Sequence, residues 1–394
     1  MVVISSNRQR KPAQPGAAKH SPRERGIALV VVMGFIFALI VLAAAFSINM
    51  RVEAILAKNA NSEADVEWLC RSGVEFAKYI LGQQMANNQE PYDCLSQSWA
   101  GGPGSTNGIN PILEHMNLTN NTWSEGTVLR FLFPDESPGD KVRCSIKIID
   151  LERKFNINRA AEDNIGRWPL ENTFNLMGVD NALIPYLVDA IKDWRDKDED
   201  RRISGVEDEY YQPLGYTAKN GPIDDLQELL LIRYITPKMY WGNRTKQLAN
   251  TSLTASPAAE EEEDEPDYPI GLVDLYTPIS VGYININTAS MEVLQLLPGM
   301  DENRAAYIVD LRAGIDNVEG TYDDQPFTNI QEIRNVPGFQ TPEAIANAQR
   351  FLSVRSATFE VTVTAEMRDQ QRTLVAVLSR SSPKDVKILY TYWK

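Results

Sequence analysis

Histidine is almost absent from this chain: His20 and His115 are the only two in 394 residues. That argues against a Ser-His-Asp triad, a zinc hydrolase or a histidine acid/base pair. Cysteine is nearly as scarce. Cys70, Cys94 and Cys144 show no C-x-x-C spacing, so neither a zinc knuckle nor a thioredoxin-like motif is indicated. Basic charge is in deficit, with 39 Lys and Arg against 53 Asp and Glu and a net charge of −14. Nucleic-acid binding wants a basic face, which this balance does not favour. An enzyme built here would depend on carboxylates, and acidic pairs are too widespread to select a site. The chain reads as non-catalytic. What is present is ordinary globular composition, 43% hydrophobic and 23% charged, with length for two domains or one elaborated domain.

The charge that is lacking overall is concentrated at the N-terminus. Arg8, Arg10, Lys11, Lys19, Arg23 and Arg25 face a single acid, Glu24, within residues 1–26. Residues 27–48 (IALVVVMGFIFALIVLAAAFSI) then carry no charge. About 22 residues of helix span roughly 33 Å, enough for a bilayer core. The basic flank sets the N-terminus inside. An ordinary signal anchor fits this pattern, and Ala43-Ala44-Ala45 offers a signal-peptidase site. Beyond the apolar run, however, Pro is missing as far as about Met85, and Ile55, Leu56, Val66, Leu69, Val74 and Phe76 recur near helical spacing. The spacing predicts one long helix with an amphipathic outer half, which a cleaved signal would not have.

Arg25-Gly26 followed by an apolar helix from Ile27 resembles a type IV prepilin leader, cut after Gly26. Most such proteins carry Glu at the fifth mature position, where it neutralises a neighbouring subunit's amine in an apolar filament core. Here that position is Val31. The departure is the one expected of the minor pseudopilin K family of type II secretion systems. The resemblance runs through FNIN (155–158), PIDDLQELLLIRYITPKMY (222–240) and ININTAS (284–290). It implies processing by a prepilin peptidase and methylation of Ile27. It also implies assembly with minor pseudopilins I and J and other pseudopilins, at the tip of a filament that exports folded proteins. Contacts with the inner-membrane assembly platform and the exported proteins are implied too. The chain would cross the bacterial inner membrane once, with its C-terminal domain in the periplasm.

Strand patterns occur at 127–133 and 142–150, and again at 358–366, 372–380 and 386–393. The two groups are separated by a mainly helical stretch. The expected fold is α+β: a pilin-like helix on an antiparallel sheet, with a large helical domain inserted in the sheet. The expected order is a leader (1–26), a membrane segment (27–48), its amphipathic continuation (49–86) and the first β part (87–160). The inserted domain (161–355) and the second β part (356–394) follow. Cys94 and Cys144 would both lie outside the membrane, where disulfides persist, and are a candidate pair across loop and strand. A low-apolar stretch at 246–268 carries EEEEDE (260–265) and reads as a solvated flexible loop rather than a partner site.

Inside the insertion, DLQELLLIRYIT (225–236), SMEVLQLLPGMD (290–301) and NIQEIRNVPGFQ (329–340) align without gaps. Each reads as helix, tight turn, helix, and the last two have Pro-Gly at the turn. They resemble helix-hairpin-helix motifs, so the rival reading is a membrane-anchored, competence-type DNA-binding protein. Asp301, Glu302 and Gln340 stand where phosphate would approach, and acids there repel it. No nucleic-acid partner is expected.

Residues 193–211 (DWRDKDEDRRISGVEDEYY) hold eight carboxylates. Counting from Asp196, Asp198 is third, Asp200 fifth, Ser204 ninth and Glu207 twelfth, the spacing of an EF-hand loop, with Ile203 at the apolar eighth place. Arg201 replaces the sixth-place Gly. Hard oxygens in this pattern suit Ca²⁺. A solvated acidic turn screened by Arg195, Lys197, Arg201 and Arg202 is the alternative. Trp194, Asp196, Asp198, Gly205, Glu207, Asp208, Tyr210 and Tyr211 also resemble the calcium segment of the pseudopilin K family. Asp196, Asp198, Asp200, Glu207 and Asp208 are the expected ligands.

Overall fold

The computed structural model describes residues 22–102, 129–132, 142–243, 266–367 and 370–394. Most of the expected leader, both histidines, the outer ends of the first expected strand and the acidic run 260–265 lie outside the described residues. The chain forms two units, Met1–Glu63 and Ala64–Lys394. Helix α1 is 65 residues long, Pro22–Ala86, and contributes to both.

In the first unit, Leu29–Ala57 is long and apolar enough to cross a membrane, and none of it is buried. Phe35 and Phe37 are each 70% exposed. Leaving such side chains in water forgoes about 1.5–3 kcal/mol apiece relative to burial. The segment is built for lipid or for other apolar helices. Gly26, Ile27 and Val31 all fall within α1.

In the second unit, α1 presents Val66, Cys70, Val74, Ala77, Ile80 and Leu81, all buried at three- and four-residue intervals. This stripe packs on one face of a five-stranded antiparallel sheet. Its strands are β1 (Leu129–Leu132), β2 (Val142–Asp150), β7 (Thr358–Met367), β8 (Gln370–Ser382) and β9 (Asp385–Trp393), in that order across the sheet. Alternate residues supply the buried face: Cys144, Ile146 and Ile148 from β2, Phe359, Val361 and Val363 from β7, Leu374, Ala376 and Leu378 from β8. At Gly73 the helix comes so close that an added Cβ would lie 2.6 Å from Val363.

The sheet is interrupted between β2 and β7, and residues 151–357 form the insertion. It has its own core, including Phe155, Leu170, Phe174, Leu187, Ile191, Tyr211, Leu229, Tyr276, Leu294 and Ile333. Two short parallel pairings brace it: β3 (Phe155–Asn156) with β4 (Tyr276–Thr277), and β5 (Ile284–Asn285) with β6 (Leu352–Ser353). Buried carboxylates tie the insertion to the sheet. Glu152 accepts the N–H groups of Val281, Ala357 and Thr358. Asp150 accepts from Thr288 and Ser356 at 2.5 and 2.6 Å. Arg380 of β8 pairs with Asp93 and donates to the Leu81 carbonyl at 3.1 Å.

The three repeats fold alike. Asp225, Ser290 and Asn329 each cap the first turn through a side-chain oxygen. The shared apolar positions Leu229, Leu294 and Ile333 are fully buried. At the aligned turn position Gly299 and Gly338 have φ of +76° and +92°, and Tyr234 in the first repeat also adopts +73°. Asp301 caps the following helix through Arg304 N–H at 2.9 Å. The Gly338 N–H donates to Gln340 Oε1 at 2.9 Å. The acid and amide at the two turns are therefore engaged in the protein's own hydrogen bonds.

Candidate metal centre

Helix α2 (Trp168–Met177) and helix α3 (Ile184–Arg195) lead into the acidic loop. The apolar stripe of α3, Leu187, Val188, Ile191 and Trp194, fixes its rotation in the insertion core. That rotation also buries two acids one turn apart, Asp189 and Asp193. Asp189 is satisfied: it pairs with Arg167 and accepts the Ser204 N–H at 3.1 Å.

Asp193, with no exposed surface, is the floor of the site. It accepts Arg202 N–H at 3.2 Å and the Arg202 guanidinium at 2.7 Å. Gly205 lies against it so closely that any Cβ would overlap Asp193 Oδ2. Asp196 caps the end of α3 and pairs with Arg202 through one oxygen. Glu207 comes from the far side of the loop and is 5% exposed. One oxygen each from Asp193, Asp196 and Glu207 lie within 4.8 Å of one another. Ca–O distances of about 2.3–2.6 Å place opposed ligand oxygens roughly that far apart. Asp196 Oδ1 and both Glu207 oxygens are buried without a hydrogen-bond donor. Such groups are costly unless something positive satisfies them. The donor set, all hard oxygen, fits Ca²⁺.

The electrostatics agree. Burial, followed by repulsion from Asp193, Asp196, Asp198 and Asp208, pushes the Glu207 carboxyl up to about 7. Asp193 and Asp196 are also raised, first by burial, even though Arg202 opposes the shift. Arg202 itself is raised despite burial, through hydrogen bonds to Asp196 and Asp193. Its other nitrogen reaches Asp163 at 3.0 Å. One guanidinium thus serves Asp163, Asp193 and Asp196 and leaves Glu207 unserved.

The expected ligands divide. Asp196 and Glu207 converge. Asp198 and Asp200 are exposed, with Asp198 Oδ1 accepting the Asp200 N–H at 3.1 Å. Asp208 opens the one-turn helix Asp208–Tyr211 and accepts the Ala218 N–H at 2.7 Å. Ile203, expected at an inward apolar place, is fully exposed. The loop therefore keeps EF-hand spacing at its ends but not its fold, because Arg201 replaces the turning Gly and Arg202 folds back onto the acids. Asp193 was not among the expected ligands. Its three-residue offset from Asp196, on the polar edge of an otherwise apolar helix face, was the available signal.

Aromatic rings join the two sides of the loop. Trp194 meets Tyr211 edge-on at 5.2 Å, and Arg233 stacks over Tyr210 at 4.3 Å. The candidate Cys94–Cys144 bond is not formed in the structure: Cys70, Cys94 and Cys144 are all free and buried. Cys94 Sγ lies 3.2 Å from Ser96 Oγ, while Cys70 and Cys144 belong to the helix–sheet core.

An antiparallel sheet on a long helix, interrupted by a helical domain bearing an acidic site, defines a pilin-like fold, and the apolar N-terminal part of the helix is consistent with a membrane anchor. Residues 153–242 match the family model for the type II secretion system (T2SS), protein K, first domain. That segment is similar to the first domain of type II secretion protein K, in agreement with the resemblance drawn from the sequence. Five chains of solved structures match. One is from the crystal structure of the GspK-GspI-GspJ complex of the enterotoxigenic Escherichia coli Type 2 Secretion System. It is 14% identical, with a TM-score of 0.56 over 86% of this chain and 99% of that one. At that identity the likeness is one of fold. No curated protein matches the chain.

Proposed function

We propose that this chain is a minor pseudopilin that caps the tip of a type II secretion pseudopilus and helps to start its assembly. The observation that carries the reading is a protein K domain lying between β2 and β7 of a pilin-like sheet, on a helix with an uncovered apolar half. Leader removal after Gly26 would free Ile27 for methylation and place the apolar part of α1 in the inner membrane. The folded unit would then face the periplasm. The partners are minor pseudopilins I and J, the companions named for the similar solved chain. Other pseudopilins would lie beneath. Val31 supports the tip position, since an aliphatic side chain cannot neutralise the amine of a subunit above it.

Calcium is the ion this reading places among Asp193, Asp196 and Glu207. When bound it supplies positive charge to oxygens that lack donors. The protein's own part is positional. Asp193 is held by α3, Glu207 by the segment that continues into Tyr210 and Tyr211, and Gly205 leaves room between them.

The test is genetic and biochemical. Deleting the gene should abolish export of folded proteins, and the full chain should co-purify with I and J of its own system. Tagged chain should mark one filament end. Normal export in the deletion strain, or label spread evenly along filaments, would refute the assignment.

A further inference from the structure

Strand β9 is the edge of the sheet, yet it is not built like a protected edge. Ile388, Leu389, Tyr390, Tyr392 and Trp393 are between 41% and 51% exposed. They occupy both faces. Trp393 lies opposite Leu374, and Ile388 opposite Leu378, so these continue the face that α1 covers. Tyr390 lies opposite Val377, and Tyr392 opposite Val375, so these continue the other face, with their rings stacked at 6.4 Å. Arg372 stacks on Trp393 at 5.9 Å.

The backbone of the edge is open as well. Lys394 N–H bonds the Thr373 carbonyl at 2.9 Å. In an antiparallel ladder alternate residues point the same way. Tyr390 and Tyr392 therefore bond inward to β8, while Thr391 and Trp393 direct N–H and C=O outward. Among the described residues, no strand pairs with that outer side. An exposed, apolar, open edge is a template for another strand.

Charge selects the occupant. Lys384, Lys387 and Lys394 mark the two ends of β9, and among the described side chains Asp385 pairs with Lys387 at 3.1 Å. Glu360 and Asp225 lie toward the tyrosine hydroxyls on one face, so the positive charge belongs to the ends of the edge. A second copy pairing antiparallel about Thr391 would bring the Lys384–Lys387 end of each strand alongside the Lys394 end of the other, and like charges brought together there are destabilising.

We infer that β9 docks an extended strand of a different protein, apolar at its centre and carboxylate-bearing at its ends, which lengthens the sheet to six strands. This inference stands apart from the secretion reading, because it uses only the edge itself.

The experiment uses the full chain in detergent. The probe is a fluorescent, end-blocked nine-residue peptide with a Val-Thr-Val-Thr-Val centre and two glutamates at each end. Its control has lysines in place of the glutamates. The acidic peptide should bind at least tenfold more tightly than the basic one. Thr391→Pro removes only an outward N–H, so it should weaken binding at least tenfold with an unchanged melting temperature. Lys387→Glu with Lys394→Glu leaves the backbone intact and should reverse the peptide preference, which keeps the test decisive if the proline variant misfolds. The inference fails if neither peptide binds at millimolar concentration, if both bind alike, or if Thr391→Pro and the double reversal leave binding unchanged. It also fails if the chain is a dimer that Thr391→Pro converts to monomer, since the edge would then belong to a second copy.

Discussion

Replacing Glu207 by Gln should have opposite effects on stability with and without calcium. Without the ion, Glu207 is a buried carboxylate with no donor among other acids. A rise from the ordinary 4.5 to about 7 corresponds to roughly 3 kcal/mol against its ionised form. Water at the half-buried Asp196 rim screens this to about 1–2 kcal/mol. In chelator at pH 8, Glu207→Gln should therefore melt a few degrees above wild type. With calcium at a hundredfold excess over its Kd, wild type should gain about 2.7 kcal/mol. At about 2 °C per kcal/mol for a unit of this size, that is roughly 5 °C. The Gln variant, lacking one anionic ligand, should gain much less, so the order of melting should invert. Glu207 also gives the chelated protein a pH dependence. It binds its proton more tightly folded than unfolded, so its contribution is complete below about pH 4.5 and is lost as pH rises through about 7. Bound calcium should remove that loss. The assay is thermal melting of the detergent-solubilised chain in chelator, in millimolar Ca²⁺ and in millimolar Mg²⁺. Identical wild-type melting in all three, or Glu207→Gln melting below wild type in chelator, would refute the account.

Three further outcomes are expected. Gly205→Ala should abolish the calcium-induced rise in melting temperature, because the new Cβ overlaps Asp193 Oδ2; an undiminished rise would mean Asp193 is not a ligand. Tyr234→Gly should be more stable than Tyr234→Ala by about 1 kcal/mol, since both lose the ring but only Gly relieves φ of +73°; denaturant unfolding that ranks them equal would show the turn has relaxed. Gly26→Leu should block leader removal, seen on a gel as retention of the longer form, whereas normal processing would count against a prepilin.

Much of this fold could be read from the chain because its periodicities are clean. The stripe from Val66 to Leu81 has helical spacing, and Phe359, Val361 and Val363 alternate, so α1 and the sheet were predictable from side-chain order alone. The hairpins were visible because three copies share their apolar positions. The first copy's turn was not, since Tyr234 occupies a left-handed position that sequence normally signals with Gly or Asn. The acidic site was half legible. Counting carboxylates along a loop found Asp196 and Glu207 but could not tell that Arg202 would turn inward and leave Asp198 and Asp200 in solvent. Asp193 was missed because its signal lies on a helix face, outside a count made along the loop. Cysteine pairing was illegible for a similar reason: three thiols in sequence do not reveal which of them share a core.

The junction held by Asp150 and Glu152 has a consequence for the order in which the molecule acquires its structure. Ser356 and Asp150 are 206 residues apart in sequence, yet their side chains meet at 2.6 Å. Closing an unstructured loop of that length costs on the order of 5 kcal/mol in chain entropy before any strand pairing rewards it. A folded insertion removes most of that cost by bringing its own two ends together, as the Leu151 N–H to Thr358 carbonyl bond at 3.0 Å shows. The insertion should therefore condense first, and β2 should meet β7 last, which makes sheet closure the slow, non-local step. Until then the β2 and β7 edges would both be open, the interval in which a helper protein would have most effect on yield.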